Sequence, residues 1–387
     1  MPQKNPTNKT TPAQKYQNRL DRYLGGTHHH FSCFLPRRLG RISSIVIRLF
    51  YSGITVGKDQ TAVLEQIPDN AIVVYVTKHK SKFEYLFYHT DYAKKGLPVP
   101  EIGFDYRVFI WQPLSRILKI ALAQFRYFFK NFSIQNPFQS GYIRRALSEG
   151  HAGFLSLVEK GEFYRRFVKS KIDPMRYLVE FQKTTERPVY LVPQLMFFSK
   201  DPLRSNPTIT DIIFGPEGKP GRIRRLITLF RNPGRVFVEI SEPINLRDYL
   251  EHPDNRDKDI EFQSLYLRRN LLRQINRHRQ SVTGPVLKSM EELKESILNT
   301  ERFHEFIQNH SSSRNIPIQE LRKEADGYLE EISAKYNIGF IKLASLGVGY
   351  IVDTMFDGVS INSDVLKYVK SASQKGPLIL IPCHKSH

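Results

Sequence analysis

The sequence predicts an α/β fold: a mixed, mostly parallel sheet flanked by helices, followed by a helical connector. Three observations carry this. Short β-branched or aliphatic runs at AIVVYVT (71–77), VYLVPQL (189–195) and RVFVEI (235–240) read as buried strands. Helical patterns lie between them, and that alternation marks a sheet whose strands are joined by helices. Beyond the last strand, PDNRDKDIEFQSLYLRRNLLRQINRHRQ carries apolar residues at helical spacing and ends near Thr283-Gly284-Pro285.

The elements follow in order. Residues 1–40 are polar, basic and proline-containing, and read as a flexible basic arm. Residues 41–285 form the α/β domain. Residues 286–350 read as a helical connector, broken by a polar loop at NHSSSRNIP. Residues 351–387 read as the start of a second domain. The chain has 387 residues, ample for a sizeable core.

Charge and cysteine count narrow the function classes. Lys plus Arg number 58 against 38 Asp plus Glu, a formal +20, so the surface favours anionic partners. Nucleic acid is one such class, but no nucleic-acid motif supports it, and the basic residues are spread rather than striped. Cys33 and Cys383 lie far apart with no CxxC, which fits a reducing compartment better than a disulfide framework. The N-terminus has no apolar signal region, and the longest apolar stretches are broken by charge: RISSIVIRLFYSGITV by Arg48, and VFIWQPLSRILKIALAQFRYFF by Arg116, Lys119 and Arg126. The second stretch is basic, aromatic and amphipathic. It reads either as a helix lying on a membrane surface or as one packed on its own domain.

An internal repeat adds to this. FYSGITVGKDQTAVLEQIPDNAIVVYVTKHKSK (50–82) and MFDGVSINSDVLKYVKSASQKGPLILIPCHKSH (355–387) share an aromatic–x–Gly entry, a helix-like segment, an apolar strand and His-Lys-Ser. Gly53 pairs with Gly358 and His79 with His384, both at an offset of 305. A histidine just past the carboxyl end of a buried strand is where open α/β sheets place reactive groups. In the first copy Glu84 follows His79 by five residues, close enough for a carboxylate to orient an imidazole across a strand–turn–helix. A His and a Glu at that spacing also occur by chance, so the pair alone does not establish catalysis.

VVYVTKHKSKFEYLF and LILIPCHKSH resemble the first motif of the glycerolipid acyltransferases, a His followed after four residues by Asp. Pro382-Cys383-His384-Lys385-Ser386-His387 is similar at every position to the motif opening of the glycerol-3-phosphate acyltransferase branch, and MFDGVSI resembles that branch's entry. AQFRYFFK (123–130) resembles the second block. Val158 to Arg166 (VEKGEFYRR) stands where the third block is expected, and VYLVPQLMF with Pro193 matches the fourth. LFRNPGRVFVEISEPINLRDYL (229–250) and VTGPVLKS (282–289) continue the likeness.

The resemblance implies the glycerolipid acyltransferase fold and direct acyl transfer. His79, and His384 in the second copy, would act as general base on a glycerol hydroxyl, with Glu84 orienting His79. Arg126 and Lys130, together with the basic third-block residues Lys160, Arg165 and Arg166, would hold the glycerol phosphate, and Glu159, Gly161 and Pro193 would complete the substrate-binding site. No cofactor or metal is implied. Acyl-CoA or acyl carrier protein would be the co-substrate, and an anionic membrane on its cytoplasmic face the working surface.

The departures are specific. Glu84 replaces Asp, Lys82 replaces a usual His, and the third block has lost its spacing and first arginine. This favours an alternative: a catalytically decayed domain that binds lipid or acyl-CoA, or regulates an active second domain. In the second copy the motif's Asp would fall past His387, so the sequence reads as the N-terminal portion of a longer two-domain protein. Two weaker signals remain. His28-His29-His30 with Cys33 reads as part of the arm rather than a metal site, and GPEGKPGRIRR (215–225) as a basic loop rather than a P-loop.

Overall fold

The computed structural model describes residues 19–27, 29–37, 39–51, 54, 56–79, 84–104, 111–158, 172–197, 237–283, 290–298, 300–332, 338–355 and 362–375. Six strands form one sheet: β1 (Ile72–His79), β2 (Pro100–Gly103), β3 (Ala152–Val158), β4 (Val189–Phe197), β5 (Phe237–Ile240) and β6 (Ile244–Asn245). The order is β2-β3-β1-β4-β5, with β6 also on β4. Strands β2, β3, β1 and β4 are parallel, and β5 and β6 run antiparallel to β4. The sheet is therefore mixed and mostly parallel, as the sequence predicts. β1 is its centre, and its residues from Ile72 to Lys78 are all buried.

The described helices are α1 (residues 19–24), α2 (Arg41–Phe50), α3 (Lys58–Glu65), α4 (Glu84–Phe87), α5 (Asp91–Lys94), α6 (Leu114–Asn131), α7 (Tyr142–Ser148) and α8 (Pro174–Gln182). They continue with α9 (Leu246–Glu251), α10 (Pro253–Arg256), α11 (Ile260–Thr283), α12 (Met290–Leu298), α13 (Glu301–Arg314), α14 (Ile318–Ile332), α15 (Ile338–Met355) and α16 (Ser363–Lys375).

The two faces of the sheet differ. Ile72, Val74 and Val76 point to an aliphatic face covered by Leu178 and Val179 of α8 and by Leu267, Leu271 and Ile275 of α11. Val73 and Tyr75 point to an aromatic face with Tyr85, Phe87, Tyr88 and Tyr92. Buried tyrosines need a partner for the hydroxyl. Tyr75 donates to the Pro98 carbonyl and Tyr85 to that of Pro100, both at 2.8 Å.

β2 and β3 are not among the predicted strands. β2 is short, and Gly153 and Ser156 interrupt the apolar run of β3. The glycine has a packing reason: a Cβ there would come within 2.6 Å of the Phe104 ring.

The flexible-arm reading needs correction over its described part. Leu24, Phe31 and Leu35 are buried, the Leu35 N–H donates to Glu101 O at 2.7 Å, and Gly103 N–H donates to Cys33 O at 2.7 Å. Residues 31–35 thus cover the outer edge of β2, whose backbone groups would otherwise stand open. Residues 1–18 lie outside the described residues. The polar loop expected at NHSSSRNIP is also corrected. α13 runs on to Arg314, and Ser312 and Ser313 within it donate their hydroxyls back to the preceding-turn carbonyls of Gln308 and His310. Asn315, at φ 53°, ends the helix in the left-handed region.

The chain divides into two compact units, Met1–Ser333 and Ala334–His387. Helices α12 to α14, part of the expected connector, pack within the first unit: Lys294 of α12 binds Asp326 of α14 at 2.6 Å, and Arg322 of α14 pairs with Glu261 of α11. Described by itself, the second unit contains α15 and α16. α16 begins at Ser363 and α3 at Lys58, which are separated by the repeat's offset of 305.

Candidate active site

The chain leaves β1 toward β2, beyond β3, and leaves β3 toward β4, beyond β1. The two connections leave neighbouring carboxyl ends in opposite directions, each passing the other's strand. That is the switch point at which open α/β sheets hold their ligands.

His79 stands there. It is the last residue of β1, exposed, and in register with Val158, the last residue of β3. By strand alternation it shares a face with Thr77, which is in register with Ser156. Both hydroxyl residues are buried, and Ser156 Oγ has no hydrogen-bond partner among the described residues. His79 thus rises over a polar floor two residues below, about 7 Å along the strand.

The opposite face is polar at the same level. Lys78 is buried, with its Nζ 2.7 Å from Asn276 Oδ1 of α11 and 2.8 Å from Glu292 Oε2 of α12. Asn276 Nδ2 in turn donates to Glu292 Oε1. Beside them Arg268 of α11, 2% exposed, donates to the Leu157 carbonyl of β3 at 2.8 Å and pairs with Asp173 at 2.5 Å. Asp173 caps α8 by accepting from Met175 N–H at 3.1 Å, with Pro174 in the first turn.

The residues singled out from the sequence fall as follows. His79 is at the strand end and Glu84 is the first residue of α4; nothing is described of the Glu84 side chain. Pro193 lies in β4, in register with Val76 of β1. Arg126 is not brought to the strand ends by any described contact: its guanidinium pairs with Asp21 of α1, where the sequence reading expects a phosphate contact. Lys130 is exposed in the last turn of the same helix. Glu159, Lys160, Gly161, Arg165, Arg166 and His384 lie outside the described residues, as do residues 198–236 with the basic loop 215–225. The register nevertheless brings His79 level with the residue that immediately precedes Glu159.

Sequence reasoning missed Lys78, Arg268, Asn276 and Glu292. A signal existed for two of them. Lys78 occupies an inward position of the AIVVYVTK run, and Arg268 falls on the apolar stripe of α11 beside Leu267, Leu271 and Leu272.

Other reactive side chains are engaged elsewhere. Burial pushes the Cys33 thiol up to about 12, so it is no nucleophile. His30 Nε2 bonds the Leu24 carbonyl at 2.9 Å. Among the described residues no group of three His, Cys, Asp or Glu is placed to hold a metal. A cavity of about 330 Å³ lined by Arg37, His89, Gly150 and Arg187 opens at the amino ends of the strands, away from His79.

The model of the family described as "Glycerol-3-phosphate acyltransferase PlsB N-terminal domain" matches residues 39–284. The chain belongs to that family. The match covers the sheet, the His79 strand end and α11. A curated relative named glycerol-3-phosphate acyltransferase, from Shewanella baltica, is 26% identical over 214 residues, covering 55% of this chain. Relatives of the same name from Shewanella oneidensis and Shewanella sp. are 25% identical over the same length. The matched segment spans about a quarter of those relatives, 26% of their length. No solved structure matches the chain.

Proposed function

We propose that this domain takes part in transferring a fatty acyl group from acyl-CoA or acyl carrier protein to glycerol-3-phosphate or a related glycerolipid acceptor. The observation that supports it is the register of His79 with Val158: it sets a histidine at the switch point beside the start of the third block. In the reaction His79 takes the proton of the acceptor hydroxyl, the oxygen attacks the thioester carbonyl, and the thiolate leaves with a proton. Glu84 orients the imidazole, and Lys160, Arg165 and Arg166 hold the phosphate, the arginines by two-pronged bonds, with Glu159 and Gly161 completing the substrate-binding block. Proton transfer of this kind contributes roughly 10²- to 10⁴-fold, and placement of the two substrates adds to it. The names of the relatives favour this reading.

The motif departures at Lys82 and Glu84 favour a second reading: a decayed domain that binds acyl-CoA or lipid and supports a separate catalytic domain, whose base would be His384. The family's description as an N-terminal domain agrees with it. Acyl transfer from radiolabelled acyl-CoA to glycerol-3-phosphate separates the two. The first expects turnover that His79→Ala abolishes. Turnover that survives His79→Ala sinks it, and acyl-CoA binding without turnover supports the second.

We further propose that the domain works peripherally on an anionic membrane, on the cytoplasmic side. Leu114, Leu118, Leu122, Phe125 and Phe129 form one apolar stripe of α6 at helical spacing, all exposed; Phe125 is 65% exposed and Phe132, just beyond, 82%. Ile42, Ile45 and Leu49 do the same on α2. The two helices start together: Ser43 bonds the Trp111 carbonyl, and a Cβ on Gly40 would come within 3.1 Å of Gln112 O. Arg41, Arg48 and Lys130 are exposed on the same helices, and the net charge suits anionic head groups. No described helix is long and apolar enough to cross a membrane.

A further inference from the structure

Four polar groups occupy a place where the rest of the face is aliphatic. Lys78 and Glu292 side chains are 6% and 4% exposed, and Arg268 is 2% exposed among buried leucines. Burying such charges is expensive, and a buried ion pair is often no more stable than apolar residues of the same volume. Stability is therefore a poor reason for them. What hydrogen-bonded charges supply, and aliphatic contacts do not, is a defined distance and angle.

Their position says what is being defined. Lys78 immediately precedes His79, and the Leu157 carbonyl immediately precedes Val158, the residue in register with His79. Both bonds are made by one helix. Arg268 and Asn276 lie eight residues apart on α11, about 12 Å along its axis, so a single rigid body grips the ends of β3 and β1 together. Glu292 closes the arrangement by binding both Lys78 and Asn276.

We propose that Lys78 and Arg268 are positioning residues: through α11 they set the height of the β1 end against the β3 end and thereby aim His79. The consequence for catalysis rests on the reading of His79 as the base. Misplacing a reacting group by about 1 Å costs on the order of 100-fold.

The test uses the whole chain with Lys78→Met/Glu292→Leu, which removes both charges at similar volume, and separately Arg268→Lys, which keeps the charge but loses the fork. Three quantities are measured: the thermal midpoint, kcat and KM for glycerol-3-phosphate, and the imidazole ¹H–¹⁵N signals of His79 through a pH titration. The double variant is expected to keep its midpoint within a few degrees. Its kcat is expected to fall roughly 10- to 100-fold with KM nearly unchanged, and the His79 signals to shift or broaden. Arg268→Lys is expected to do the same to a smaller extent, and it decides the matter if the double variant does not fold. Unchanged kcat and unchanged His79 signals in a folded variant overturn the proposal. If the unmodified chain shows no acyl transfer, the acyltransferase reading fails on its own, and the His79 signals alone decide whether these residues position it.

Discussion

Helices α6 and α11 each break the usual apolar-in, polar-out pattern, and in opposite senses. α6 buries Ile120 and Ala123 and turns a stripe of leucines and phenylalanines to solvent. α11 buries Leu267, Leu271 and Ile275 as expected, yet inserts Arg268 between them and directs Asn276 to a buried lysine. A helix that exposes apolar surface needs something outside the domain to cover it. A helix that buries polar groups is answering something inside it, here the ends of β1 and β3. Departures from local consistency gather where a protein does something besides fold. The two helices thus separate the proposed docking surface from the proposed frame around His79.

The contrast breaks most readily at Arg268. Arg268→Ala removes the buried guanidinium from Asp173 and from the Leu157 carbonyl, and should destabilise the domain by about 3–5 kcal/mol. Urea denaturation measures it, and a change below about 1 kcal/mol would mean the buried guanidinium is not holding the strand end.

Acid probes a half-buried polar group at the opposite, amino-end side of the sheet. Burial draws the His89 imidazole down from 6.5 to about 4, against a bond to the Arg37 backbone that works upward. The folded value lies below the unfolded one, so between those two pH values the unfolded chain binds the extra proton. His89's contribution is complete above pH 6.5 and is lost as pH falls toward 4, at most about 3 kcal/mol. Denaturation midpoints at pH 7 and pH 4.5 should diverge, and His89→Gln should narrow the gap; an equal gap in the variant refutes this source.

The smallest effect on folding, and the clearest on docking, belongs to α6. Phe125→Asp should leave the thermal midpoint unchanged, because the ring is already in solvent, and should weaken flotation with anionic vesicles by roughly 1.5–3 kcal/mol. High salt should weaken it further, since the head-group attraction is screened. Flotation unaffected by the substitution would move the docking surface elsewhere. Loss of the thermal midpoint would show that the stripe packs on protein.

Much of this was legible in the residues. β-Branched and aliphatic runs showed β1, β4 and β5, most plainly in β1, where a strand buried on both faces has no polar phase to confuse it. The His79 strand end was legible for the same reason, as a polar group directly after such a run. β3 was not, since Gly153 and Ser156 erase its pattern, and what they answer is the Phe104 ring and the Thr77 pairing, neither of them local. Residues 24–35 read as a loose arm because their composition is that of one. Only the open edge of β2 gives Leu35 and Cys33 a backbone partner.

By itself the sequence determined the fold class, the central strand, the histidine at its end and the family likeness, all of which depend on patterns within a few residues. The tertiary structure alone decided that Arg126 pairs with Asp21, that α6 turns its apolar stripe outward, and that Lys78 and Arg268 meet α11 and β3 across gaps of a hundred residues or more. A charge in an apolar run looks the same locally whether it is buried or exposed. Which of the two it is depends on whether a partner arrives from a distant part of the chain to offset its desolvation.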